Sequence, residues 1–551
     1  MTGYRMPKTR PTLSAAPDDI YLVASGDLRE SANVAGWQTQ HELEVAIGAA
    51  VSRLGKRIVR AHDYDAVTGH GFISSQAMGM RVFETIPPDA PLIVAEAVWQ
   101  YSHHVLAGLR SHRGPVLTAA NFAGDRPGLV GMLGLNAGLT KMGREYSSVW
   151  SIDFTDDWAK ECLTSWLATG TINHDDSHVV DFPGYAQSAS QEVQLGKALA
   201  EDLRASKAII GIFDEGCMGM YNAIIDDEHL NPLGIYKERL SQSALFAEMQ
   251  TVPDADARDV RTWLEDRGLR FLTGSDEKSE LTDAQINEQC KMYIAATRIA
   301  DDFGADAIGI QYQQGLKDLV PASDLVEGLL NNVERPPVTD RQGKRVLYPG
   351  APLPHFNEVD EGAAVDALIT NRVWTAMGLD PATTLHDIRW GEDFEGEFVW
   401  VFEISGSVPA SHLIGGYAGA ESWRQSPDYF PSGGGTIRGV SRPGEIVWSR
   451  LYLESGRLHL DIGRASVVAL PAEETARRWA ATNPEWPIMH AVLHGVTRDQ
   501  LMARHKANHI QVAYATSADV ADRALVAKAI HFAELGVEVH VCGDVNLAHA
   551  L

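Results

Sequence analysis

The chain has 551 residues, 45% apolar and 22% charged, a composition that excludes a disordered or fibrous protein. At roughly 150 residues per domain, that length predicts about three domains. A formal net charge of -26 repels phosphate backbones and anionic lipid, so neither nucleic acid nor membrane is an expected partner.

The N-terminal stretch MTGYRMPKTRPTLSAAPDD is basic, but no apolar segment follows it, so it does not read as a secretory signal. No apolar run approaches the ~18 residues of a membrane span. Cys162, Cys217, Cys290 and Cys542 are far apart and form no C-x-x-C pair. They predict reduced core thiols in a cytoplasmic protein, with neither a disulfide framework nor a zinc knuckle.

From Ile20, short apolar runs alternate with amphipathic ones. DIYLVASGD, RIVRAHDYD, APLIVAEAVW and GPVLTAANFAG read as strands, and ELEVAIGAAVSRLG and GLVGMLGLNAGLTKMG as helices. This is βαβ logic, a mostly parallel sheet with functional residues at the C-terminal strand ends. At two such ends stand Arg29, which also reads as a helix-start residue beside Glu30, and Trp99, a core residue unless it stacks on a sugar face. His174, Asp175, Asp176 and His178 resemble a metal cluster on paper but sit in a polar stretch that reads as a solvated loop.

The second unit opens with AIIGIF running into the small-residue loop DEGCMGM, which has neither a G-K-[ST] step nor a G-x-G-x-x-G fingerprint. Met218 and Met220 read as packing residues. The strand DAIGIQYQQ follows a charged helix over 279–303, and Gln311 and Gln313, two apart on it, are expected to point the same way toward sugar hydroxyls or buried backbone.

ERPPVTDRQGKRVLYPGAPLP has the proline and glycine density of a domain crossing. Beyond a helix over 365–378, GEFVWVFEISGSVP, GEIVWSRLYL and GRLHLDIGRASVVALP predict a largely antiparallel β unit. Between the first two lies YFPSGGGTIRGVSRPG, whose Tyr429 and Arg438 are candidate substrate contacts. His490 and His494, like His505 and His509, are four apart and would share a face in a helix, but neither pair sits in H-E-x-x-H. The expected division is 1–204 (α/β), 205–345 (α/β) and 346–551 (β-rich).

Glu327 and Asp360 flank the domain crossing, each opening a helix-like run, and His490 is the candidate imidazole to complete a divalent-cation site with them. Singly, these three read as a solvated helix residue, a helix cap and a core histidine. Together, GIFDEGCMGMYNAIID with KERLSQ, GIQYQQGLKD with DLVEGLLNN, NEVDEGAAVDALITNR and WPIMHAVLHG resemble the L-fucose isomerase family across most of the chain.

That resemblance implies two N-terminal α/β (Rossmann-like) domains followed by a C-terminal domain with an antiparallel β-barrel. It implies Mn2+ on Glu327, Asp360 and His490, with Co2+ or Mg2+ as substitutes, and Gln311, Gln313 and Trp99 near the sugar. It also implies a homohexamer in which a neighbouring subunit completes the site. Where the family pattern reads Asn-His-Gly, this sequence was matched at Met489-His490-Ala491, a departure that leaves the sugar open. A C6-anionic sugar such as sulfoquinovose would need a cation such as Arg29 or Arg438.

The implied activity is aldose-ketose isomerisation of a free monosaccharide through a cis-enediol, with Glu327 and Asp360 moving the protons. The alternatives are an isomerase of a C6-anionic sugar, a non-catalytic sugar-binding protein, and a metal-dependent aldolase or hydrolase.

Overall fold

A computed structural model describes residues 13–185 and 187–550, without the side chain of Cys217. Most of the basic N-terminal stretch, and the Cys217 thiol, therefore lie outside the described residues. Cys162, Cys290 and Cys542 are buried free thiols, as their spacing predicts. No helix among the described residues is long and apolar enough to cross a membrane.

The chain separates into two compact units. One runs to Asn121 and adds Arg144–Ile172; the other comprises Phe122–Gly143 and the chain from Asn173. In the first, strands β1 (Asp19–Val23), β2 (Arg57–Arg60), β3 (Leu92–Glu96), β4 (Val116–Asn121) and β5 (Ser147–Ser151) form a parallel sheet in the order β2-β1-β3-β4-β5. Ile20, Leu22, Ile93, Leu117 and Val149 from the strands meet Leu43, Ile47 and Val51 of the helix Glu30–Arg53 and Trp166 of the helix Asp157–Thr169.

The second unit holds both later sequence segments, and positions 204 and 345 lie within it. Strands β6 (Val179–Asp181), β7 (Ala208–Phe213), β8 (Ile235–Leu240), β9 (Arg270–Phe271) and β10 (Ala307–Ile310) come first. Then follow β11 (Thr383–Phe394), β12 (Glu397–Glu403), β13 (Glu421–Ser422), β14 (Gly444–Glu454), β15 (Arg457–Val467), β16 (Ile488–Leu493), β17 (His509–Ala515) and β18 (Glu538–Cys542). The helix Gln191–Ser206, expected to close the first domain, packs instead on the helix Ala518–Glu534. At Gly196 a Cβ would come within 2.7 Å of the Ala527 carbonyl, so the glycine permits the approach.

A small parallel sheet runs β10-β7-β8. The β-rich unit closes into an antiparallel barrel, β14-β17-β11-β12-β16-β15, with β14 pairing back onto β15. The barrel was implied by the resemblance and is present. Closure removes exposed edges on the ring itself, and β18 and then β6 extend it from β15.

Candidate functional site

Barrel register sets one row of polar side chains. Asp387 on β11 lies opposite His509 on β17 and Glu403 on β12, and directly opposed residues share a face. His509 and Glu403 are buried.

A strained loop brings a fourth member. Glu358 and Val359, just before the helix Glu361–Ala376, adopt φ of 58° and 55°. A left-handed β-branched residue is held only where its surroundings enforce it, at a cost of order 1–3 kcal/mol. The result sets Glu358 Oε2 at 3.5 Å from His509 Nε2, with Asp387 Oδ1 also at 3.5 Å. His509 Nε2 has no hydrogen-bond partner.

Glu358 also acts on two carboxylates of the helix Asp324–Leu330. Burial first, with a contribution from Glu358, raises Asp324 to about 7. Burial, then Asp324 and Glu358, carries Glu327 well above the usual range. Asp387 is pushed up to about 6 by burial and Glu358, against the pull of His509. Glu358 thus adds to the proton affinity of three neighbouring acids, Asp324, Glu327 and Asp387.

Asp360 is the helix cap that it reads as when taken singly. Its Oδ1 accepts from Ala363 N at 3.0 Å and Arg450 Nη2 at 3.1 Å, while Oδ2 accepts from Arg450 Nη1 at 2.6 Å and lies 2.7 Å from His509 Nδ1. A carboxylate offers about four lone-pair directions, and all four are taken. Burial works against its charge, but Arg450 and His509 hold Asp360 below the usual carboxylate range. The carboxylate is a cap and an anchor for His509 rather than a free ligand.

His509 in turn is depressed by burial, yet its contact with Asp360 and the nearby carboxylates of Glu358 and Asp387 lift it to about 10. Behind Glu327 stands His355, whose Nε2 accepts from Ile310 N at 3.2 Å, so its proton sits on Nδ1, 3.7 Å from Glu327 Oε2. Burial keeps His355 neutral, with a pKa lowered to about 3. Ser323 Oγ donates to Glu327 Oε1.

His490 is not in this group. It lies on a strand, β16, rather than the helix its spacing with His494 would need, opposite Val401 and three strands around the wall from His509. Both its ring nitrogens are buried without partners, and burial and then Arg478 lower its pKa to about 4. His509, which the sequence offers only through its spacing from His505, is the imidazole that contacts Asp360 and faces Glu358 and Asp387.

The remaining candidates divide. β10 stops at Ile310 and Tyr312–Gln314 is a single helical turn, so Gln311 and Gln313 do not alternate along a strand. Gln311 still has both amide ends buried and unpartnered, as does the Gln313 carbonyl. Arg438 is consumed: it lies 4.3 Å from the ring of Trp423 and 3.7 Å from that of Trp479, and pairs with Glu421 Oε2 at 3.1 Å. Tyr429 is buried on its loop. In the first unit Arg29 is buried against Asp27, donating from Nε at 2.9 Å and Nη2 at 2.7 Å, and Trp99 is buried with its Nε1 unpartnered. Asp175 lies in an irregular segment, where its Oδ2 accepts from Gln500 at 2.8 Å.

Arg389, on β11 two residues from Asp387, was not anticipated. It is fully buried, its Nη2 donates to the Gly124 carbonyl at 2.9 Å, and its Nε and Nη1 make no hydrogen bond. Its nearest anion is Glu403 Oε2, at 3.8 Å.

Among the described residues, the groups of three metal-ligating side chains already within 4.8 Å of one another are His459, Glu538, His540 and Asp226, Glu228, His229. Neither includes Glu327, Asp360 or His490. The carboxylate cluster is thus wider than a closed coordination shell, as mutually repelling acids require. No protein-family model and no curated protein matches this chain.

Proposed function

We propose that the chain is a divalent-metal-dependent aldose-ketose isomerase of a free monosaccharide, similar to the L-fucose isomerases. The observation that carries this reading is the unpartnered Nε2 of buried His509, faced by Glu358 and Asp387 at 3.5 Å, with Glu358 electrostatically joined to Glu327. Oxygen-rich donors with one imidazole suit a hard to borderline ion such as Mn2+, Co2+ or Mg2+.

Glu327, Glu358 and His509 would hold the ion, and Asp360 would fix the His509 ring through Nδ1, the carboxylate behind a ligating imidazole. A bound ion would polarise the sugar carbonyl and stabilise the charge that develops on O1 and O2. Proton movement between C1 and C2 falls to the carboxylates, Glu327 among them, whose basicity beside an ion would be set by the groups hydrogen-bonded to them, as Ser323 is to Glu327. His355 Nδ1–H donates to Asn357 Oδ1 at 3.4 Å, with Glu327 Oε2 3.7 Å away. The free amide of Gln311 is available to a sugar hydroxyl.

A second reading, a sugar carrying an anion at C6, is favoured by Arg389. Arg29 and Arg438 are spent on Asp27 and Glu421, whereas Arg389 keeps two buried donors, and its charge acts on Asp387. A homohexamer with a neighbouring subunit completing the site belongs to the same proposal.

The test is a panel of aldoses, one with an anionic C6 group, offered to chelator-stripped protein before and after Mn2+ is restored. Ketose formed only with the ion supports isomerisation. Binding without conversion supports a sugar-binding protein, and carbon-carbon cleavage an aldolase.

A further inference from the structure

A second constellation lies on the barrel's extension, where β18 runs parallel to β15 with His459 opposite Glu538 and Asp461 opposite His540. His459 Nδ1 faces His540 Nε2 at 3.1 Å and Glu538 Oε2 at 3.6 Å, and the two rings stack at 5.4 Å between centroids and 9° between planes. Donors bound tetrahedrally at about 2.0–2.1 Å from one ion stand roughly 3.3 Å apart, so these atoms already have nearly the spacing of a coordination shell.

The supporting contacts fit the same geometry. His540 Nδ1 lies 3.1 Å from Asp181 Oδ1 on β6, which fixes the ring proton there and leaves the Nε2 lone pair facing His459. Arg457 Nη1 takes the other oxygen of Glu538 at 2.7 Å, leaving Oε2 for the cluster. Tyr452 stacks on His459 at 5.4 Å and 19°, holding its plane. The His459, Glu538 and His540 side chains are 11%, 41% and 17% exposed, so an ion arrives directly from solvent.

We propose that His459, His540 and Glu538 bind one divalent transition-metal ion, with a water at the fourth position and Asp181 orienting His540. Two imidazoles select the zinc, cobalt, nickel and copper class over Mg2+ or Ca2+. The ion ties β18 to β15, and through Asp181 it steadies β6. It is chemically distinct from the carboxylate-rich site around His509 and does not depend on that site's assignment. Without an ion, the two imidazoles share a hydrogen bond from His459 Nδ1–H to His540 Nε2.

The experiment is a Co2+ titration of the chelator-stripped full chain, read by visible absorption and by ions retained per chain. His540→Gln and Glu538→Gln are expected to retain one Co2+ fewer than wild type and to lose the associated absorption. Asp181→Asn should weaken that ion by about tenfold, and added Zn2+ should raise the melting temperature of wild type but not of His540→Gln. Glu538 is 41% exposed, so Glu538→Gln tests the site even if a histidine variant folds poorly. Equal Co2+ retention and identical spectra in wild type and Glu538→Gln would overturn the proposal and leave only the imidazole pair.

Discussion

His509 Nδ1 lies 2.7 Å from Asp360 Oδ2, and the same carboxylate binds both terminal nitrogens of Arg450. One buried acid therefore positions the imidazole, satisfies a buried guanidinium and caps the helix Glu361–Ala376. Asp360→Asn leaves Arg450 charged and buried without its counter-ion. Breaking such a pair from one side costs about 3–5 kcal/mol, a loss to be read from urea unfolding. Arg450→Met with Asp360→Asn should recover part of it.

The same contact predicts a pH dependence. His509 titrates near 10 in the folded chain against 6.5 for a free imidazole, because the Asp360 contact and the facing Glu358 carboxylate outweigh burial. Its contribution to stability is therefore complete below about pH 6.5 and is lost as pH rises toward 10. Unfolding free energy of the ion-free protein should fall across that window in wild type and stay flatter in His509→Gln.

The acids behave differently. Burial carries Asp324 to about 7 and Asp387 to about 6, so both bind protons in the folded chain that they would release when unfolded. An ion entering the cluster near pH 6 must displace those protons. Mn2+ titration calorimetry in two buffers of different ionisation enthalpy should show proton release at pH 6 that shrinks toward pH 8 but persists there, because His509 keeps its proton to about pH 10, with weaker binding at the lower pH.

Glu327→Gln removes one of several crowded acids while keeping shape. Turnover should fall by about 100-fold or more, the usual scale for losing a general base. The melting temperature should hold or rise, since repulsion with Asp324 and Glu358 is relieved. A variant that kept wild-type turnover would remove Glu327 from the chemistry.

What the sequence revealed was what periodicity controls. The run AIIGIF, the four first-unit strand segments and GEIVWSRLYL paired with GRLHLDIGRASV all appear as strands, because alternation and apolar runs carry strand burial directly. The helix-like run that holds Glu327 was legible too, and appears as the helix Asp324–Leu330. Glu358 was not, because nothing in NEVDEG announces the two left-handed residues that turn its carboxylate toward His509. Asp387, Glu403 and Arg389 depend on barrel register, which pairs β11 with neighbouring β12 and with β17 more than a hundred residues on. Nothing in the spacing of His490, His494, His505 and His509 distinguishes the one that Asp360 contacts, because that contact depends on tertiary packing.

The most direct test of the account is uptake of Mn2+, followed by the magnetic-resonance signal of the free ion, in wild type, His509→Gln and His490→Gln. If the His509 cluster holds the ion, wild type and His490→Gln take up Mn2+ tightly and His509→Gln does not. Tight uptake that survives in His509→Gln and disappears in His490→Gln would contradict it.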